Sequence, residues 1–158
     1  MATSSVKTCI KILAALVFFA AAPVYGTQCN VSTTGVNFGS YDILSSVPTD
    51  STGSIIVSCN GNVPSVTILI GASPNSGTFW PRDMRSGLSP SYMLAYNLYA
   101  DPGRSAVWGD GTLGTQTVII QPVTKRTVYT ETVYARIPAK QDIYYGPYSD
   151  SLTVTINW

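Results

Sequence analysis

The stretch SLTVTINW, residues 151–158, sets Leu152, Val154, Ile156 and Trp158 at one parity and Thr153, Thr155 and Asn157 at the other. A period of two is the mark of a strand with one buried face. The same period recurs downstream of residue 26, where no helical period is sustained. Strands are expected over 29–38, 53–60, 65–71, 93–100, 116–122, 127–137 and 151–158. Clusters of Gly, Pro, Asp and Ser separate them: GSYD from Gly39, PNSG from Pro74, DPG from Asp101, GDG from Gly109 and YYGPYSD from Tyr144. Many short strands joined by turn chemistry, with no helical crossovers, predict an all-β antiparallel sandwich. A long loop is expected over 72–90.

Side-chain parity nominates the core. Ile55 or Ile56 with Val57 and Cys59, and Val66, Ile68 and Ile70, are expected to point inward. In 127–137 the facing is open, with Val128, Thr130, Thr132 and Tyr134 on one side and Tyr129, Glu131, Val133 and Ala135 on the other. The terminal strand poses a sharper problem. An apolar face and a free edge at the end of a chain need something to cover them.

Residues 1–26 read as a signal segment, with Lys7 and Lys11 ahead of the apolar run 12–22 and small residues Val24 and Gly26 before a cut. The run is short for a membrane span. The expected domain is therefore 27–158, exported. Loss of Lys7 and Lys11 leaves seven basic residues against eight acidic ones. That balance provides no basic field for nucleic acid or an anionic membrane. Two cysteines remain, Cys29 and Cys59, and in an oxidising compartment they are expected to form one disulfide.

Catalytic chemistry is scarce. With no His, Ser-His-Asp and Cys-His arrangements and His-ligated metals are excluded. Glu131 is the sole glutamate, and the seven aspartates sit mostly beside Gly, Pro or Ser, where they serve turns and caps. WGDGTLGT, 108–115, lacks the Lys of a phosphate loop and the spaced acids of a calcium loop, so a tight turn over Trp108 is expected. FWPRDMR, 79–85, sets aromatics beside arginines, and Phe79, Trp80, Arg82 and Arg85 are candidates for surface contact. No enzyme activity, metal, cofactor or small-molecule substrate is expected. Asn30, Val31 and Ser32 match an N-glycosylation pattern beside a cystine.

CNVSTTGVNFGSYDILSS, then TGSIIVSC, SGTFWPRDM, LAYNLYAD, WGDGT and the alternating terminal strand occur in an order that closely resembles the spore coat protein U domain family, which includes subunits of archaic chaperone-usher pili. The resemblance runs from Cys29 to Trp158. It implies an immunoglobulin-like sandwich lacking its seventh strand. A periplasmic chaperone fills the resulting groove in transit, and a neighbouring subunit fills it in the fibre after passage through an outer-membrane usher. Leu152, Val154, Ile156 and Trp158 are then expected to line that groove or its chaperone contact. Seven strands in a fold that lacks one imply an added or split strand, expected within 127–137 or 93–100. Polymerising subunits carry a donor segment of a dozen or so residues before the first strand. Here Thr27 and Gln28, spanning at most about 7 Å, precede Cys29, so a position at the fibre tip is expected, with a role in attachment and biofilm formation. The alternative is a self-contained secreted coat or surface-binding protein that does not polymerise.

Overall fold

The computed structural model describes residues 26–158. The signal segment expected over 1–26 thus lies, Gly26 apart, outside the described residues. The strands are β1 (Cys29–Thr34), β2 (Thr49–Cys59), β3 (Val66–Ile70), β4 (Arg82–Ser86), β5 (Met93–Tyr99), β6 (Val118–Ile120), β7 (Val128–Ile137), β8 (Tyr148–Ser149) and β9 (Val154–Asn157). Six form one sheet in the order β1-β2-β7-β5-β4-β8, and three form a second in the order β6-β3-β9. Every pair of strands is antiparallel.

Parity along each strand decides what is buried. Ile55, Val57 and Cys59 of β2, Val133, Ala135 and Ile137 of β7, and Leu94, Tyr96 and Leu98 of β5 face Val66, Ile68 and Ile70 of β3 across one apolar core. The open facing of 127–137 is settled by this register: Val133 and Ala135 point in, while Val128 is exposed. Trp108 lies fully buried beneath its turn, and its indole Nε1 donates to the Ile68 carbonyl at 3.1 Å. An aromatic ring with one polar handle is buried cheaply when that handle finds such a partner.

Three expectations are corrected. The region 72–90 is not one long loop, because β4 lies inside it. Its inward residues are Arg82, Met84 and Ser86, so polar side chains at two of three inward positions hide the alternation. The short β8 lies within the turn-rich YYGPYSD. Neither β5 nor β7 is split; β4 and β8 are the additions, and each of the other strands falls within or close to an expected segment.

At Gly53 in β2 an added Cβ would meet the Thr34 carbonyl oxygen at 2.7 Å, so the end of β1 approaches β2 more closely than any side chain would allow. At the other end of that pair Cys29 and Cys59 stand directly opposite and are disulfide-bonded. The bridge closes a loop with a sequence separation of 30. Replacing both cysteines by Ser is expected to lower stability by about 2 to 5 kcal/mol, measured by denaturant unfolding of the exported protein. Unchanged stability would mean that β1 is held by its ladder alone.

Candidate functional site

Among the described residues each sheet has two edge strands, β1 and β8 in the larger and β6 and β9 in the smaller, and β1 and β9 each have one unpaired edge. Hydrogen-bond alternation shows what those edges offer. The Asn60 amide donates to the Gln28 carbonyl at 2.9 Å, and in an antiparallel ladder every second residue pair is bonded in this way. Asn30, Ser32 and Thr34 therefore turn their main-chain groups to β2, and Val31 and Thr33 turn theirs outward. Across the molecule the Gly71 amide donates to the Thr153 carbonyl at 2.9 Å. By the same alternation Thr155 and Asn157 bond β3, while the N–H and C=O of Val154 and Ile156 face away from it.

These two edges face one another. Trp158 Nε1 donates to the Thr27 carbonyl at 3.0 Å, so the end of β9 meets the approach to β1. From there β1 and β9 run in opposite senses, and Thr33 and Thr34 share with Leu152 and Val154 the walls of a cavity of about 300 Å³. Its floor is core: Ile55, Ile70, Met84, Leu98 and Val133. Val31 shares the inward parity of Val57 yet is 38% exposed, where Val57 is 0%. A residue that faces the core side and still meets solvent marks an uncovered strip of the sandwich.

Of the four candidate groove residues, Leu152 and Val154 line the cavity. Ile156 packs half-buried on the core, and Trp158 lies beyond the cavity at the junction with Thr27. The opposite wall, with Thr33, Val36 and Phe38, was not among the candidates. Its only sequence signal is the weak apolar spacing of Val31, Val36 and Phe38, interrupted by Thr and Gly.

The FWPRDMR segment divides. Trp80 and Arg85 are exposed and Phe79 is half-buried. Arg82 is not a surface residue: it is 0% exposed. Its Nη2 donates to the carbonyls of Trp108 at 2.7 Å and Gly71 at 3.0 Å, its Nη1 donates to Asn97 Oδ1 at 2.8 Å, and its guanidinium lies over the Phe79 ring, 5.6 Å from the centroid. A planar fork with five donors satisfies several carbonyls at once, which is how this cation is held away from water. Burial lowers its proton affinity relative to free arginine. On the cavity wall Asp150 accepts bonds from Tyr96 Oη at 2.8 Å and Asn75 Nδ2 at 3.0 Å. Burial, reinforced by the bond to Asp150, pushes the Tyr96 phenol up, and burial with the nearby Asp150 charge raises the Asp83 carboxyl. This polar network anchors side chains.

The architecture is that of an immunoglobulin-like antiparallel sandwich left open between its first and last strands. The sequence profile of the Spore Coat Protein U domain matches residues 15–155, and the chain belongs to that family. The search of curated proteins returns no match. A solved structure with the same fold is the CsuC-CsuE chaperone-tip adhesion subunit pre-assembly complex from archaic chaperone-usher Csu pili of Acinetobacter baumannii. It superposes with a TM-score of 0.57 at 22% identity over 84% of this chain, which spans 40% of that one. HdaB, the minor tip subunit of the E. coli Hda pilus, aligns with a TM-score of 0.45 at 18% identity over 82% of each chain.

Arg82→Met is expected to leave the Gly71 and Trp108 carbonyls without their donor, and Asn97 Oδ1 with the Leu98 amide alone, costing about 3 kcal/mol or more. Equilibrium denaturation measures it, and a loss below about 1 kcal/mol would show that the buried cation is dispensable.

Proposed function

We propose that the protein is an exported, non-catalytic structural subunit of a chaperone-usher pilus, assembled by donation of a strand into the cleft between β1 and β9. The observation that carries the reading is the pair of facing edges. Val31 and Thr33 on one side and Val154 and Ile156 on the other direct free main-chain groups over a floor of core side chains. One extended segment inserted there would bond to both edges and cover the floor together. Main-chain bonds supply affinity, and alternate side chains entering the core supply specificity. A periplasmic chaperone occupies the cleft during transit, the outer-membrane usher receives the complex, and a neighbouring subunit fills the cleft in the fibre at the cell surface.

Attachment and biofilm formation are proposed for the end of the molecule remote from the Thr27 junction, with the tip of the fibre as its place. There Trp80 and Leu113, 69% and 89% exposed, flank a cavity of about 270 Å³ with Phe79 in its wall. Apolar side chains this exposed favour adsorption to surfaces over solvation. Changing Trp80 and Leu113 together to Ser is expected to reduce cell attachment severalfold while leaving secretion and the unfolding midpoint unchanged. Equal attachment by the double variant would remove this loop from the adhesive role.

The cleft itself is tested by completing it. An alternating Val/Thr strand joined after Trp158 through a short flexible linker is expected to give a monomer whose melting temperature exceeds that of the parent by about 10 °C or more. The same strand with Ser at the inward positions should not. A parent chain that is already monomeric and gains nothing from the added strand would instead favour the self-contained secreted protein. In the parent, Val154→Thr with Ile156→Thr keeps β-propensity and removes apolar area, so co-purification with the cognate chaperone should fall.

A further inference from the structure

Exposed apolar area alone would let the loop at Trp80 adhere to almost any surface, but the cavity beside it is built in more detail. Thr78, Phe79, Trp80, Ser105, Leu113 and Thr115 contribute to its walls, together with the buried Val107. At about 270 Å³ it lies near the lower end of the roughly 300–1,000 Å³ common in small-molecule sites. It shares no lining residue with the cavity between β1 and β9. A strand seated in that cleft therefore leaves this site open.

The three hydroxyls of the lining are already oriented. Thr78 Oγ1 donates to the Pro81 carbonyl at 2.6 Å, Ser105 Oγ donates to Asp101 Oδ2 at 2.9 Å, and Thr115 Oγ1 donates to the Thr112 carbonyl at 2.7 Å. A hydroxyl has one proton and two lone pairs. With each proton committed to the protein, lone pairs are what these groups retain for a ligand, so the ligand must bring the O–H or N–H donors. Among the described residues no Lys, Arg, Asp or Glu lines the cavity. That favours a neutral donor over an ammonium group or a carboxylate. The Phe79 and Trp80 rings add flat apolar area beside the hydroxyls.

Leu113 provides an independent sign of an occupant. Its φ of 52° lies in the left-handed region, and its side chain is 89% exposed. Glycines carry the same sign of φ at 111 and 114, where it costs them little. A leucine held there gains no packing in the free domain to offset its backbone cost, whereas a ligand resting on it would supply that packing.

We propose that this cavity binds one neutral pyranose ring, a hexose or N-acetylhexosamine, with an apolar C–H face against Trp80 and ring hydroxyls donating to Thr78, Ser105 and Thr115. The inference rests on the attachment role proposed above for this loop and names its ligand class. A pyranose combines the two properties the lining asks for, a rim of donors and a face of C–H groups. Because the acceptors are fixed before the ring arrives, binding orders little of the protein.

The test uses the exported mature protein and saturation-transfer difference NMR. The probes are the methyl glycosides of glucose, galactose, mannose and N-acetylglucosamine. Cyclohexylmethanol, a six-membered ring with one hydroxyl, and the anionic N-acetylneuraminic acid serve as comparators. At least one glycoside is expected to bind with a Kd on the order of 1 mM, at least about tenfold tighter than cyclohexylmethanol, because a site that accepts hydrogen bonds penalises an analogue lacking the donors. N-acetylneuraminic acid should bind no more tightly than the alcohol. Trp80→Ala should abolish glycoside binding. Ser105→Ala, at an exposed position, should weaken it about threefold or more and leave the alcohol unaffected. Equal affinity for the glycosides and cyclohexylmethanol, tightest binding by the acid, indifference of glycoside binding to Ser105→Ala, or no binding of any glycoside would each overturn the proposal. The attachment reading stands or falls separately, on whether the Trp80 and Leu113 double variant loses cell attachment.

Discussion

The pairing of β1 with β2 holds one wall of the cleft in place, and much of the site depends on it. β1 is an edge strand whose residues after Cys29 are all exposed, so its own burial contributes little. The ladder to β2 and the Cys29–Cys59 bridge keep it there, with Gly53 allowing close approach at the far end. That register makes Val31 and Thr33 the residues whose main-chain groups face the gap. A slip of one residue would turn those groups back into the ladder and expose the opposite side chains. A covalent tie at a directly opposed pair is an effective guard against such a slip.

In the role proposed for it, an open sandwich of this kind trades self-sufficiency for binding. Its core residues form the floor of the cleft, so a strand seated there would pack directly on the core. Edges that pair readily with a donated strand also pair readily with the wrong one. Control by a partner in transit is the physical remedy in the role proposed for this protein.

Arg82 shows how a polar side chain can organise an apolar interior. Its donors gather the end of β3, the Trp108 segment and Asn97 of β5 onto one cation, so the loop that exposes Trp80 springs from a rigid base. Asn75, in the same loop, reaches Asp150 on the cleft wall. The exposed loop and the cleft are therefore built on one hydrogen-bonded frame, which fixes the geometry of both.

Alternation by itself determined the all-β class, most of the strands and the inward parity of Val57, Ile68 and Ile70, because a period of two is a local property that survives in any tertiary setting. The cystine was equally legible, since two thiols in an exported chain have few other fates. Tertiary structure decided the rest. Arg82 looks like a surface cation in sequence, and only the convergence of three carbonyl-bearing or amide-bearing segments shows that it is buried. The strand β4 escaped notice for the same reason, its alternation carried by Arg and Ser. Leu152 and Val154 could be nominated from the terminal pattern, but the facing wall at Thr33, Val36 and Phe38 could not. A groove belongs to two segments far apart in sequence, and whether their free edges meet is set by the order in which strands pair, which no local pattern records.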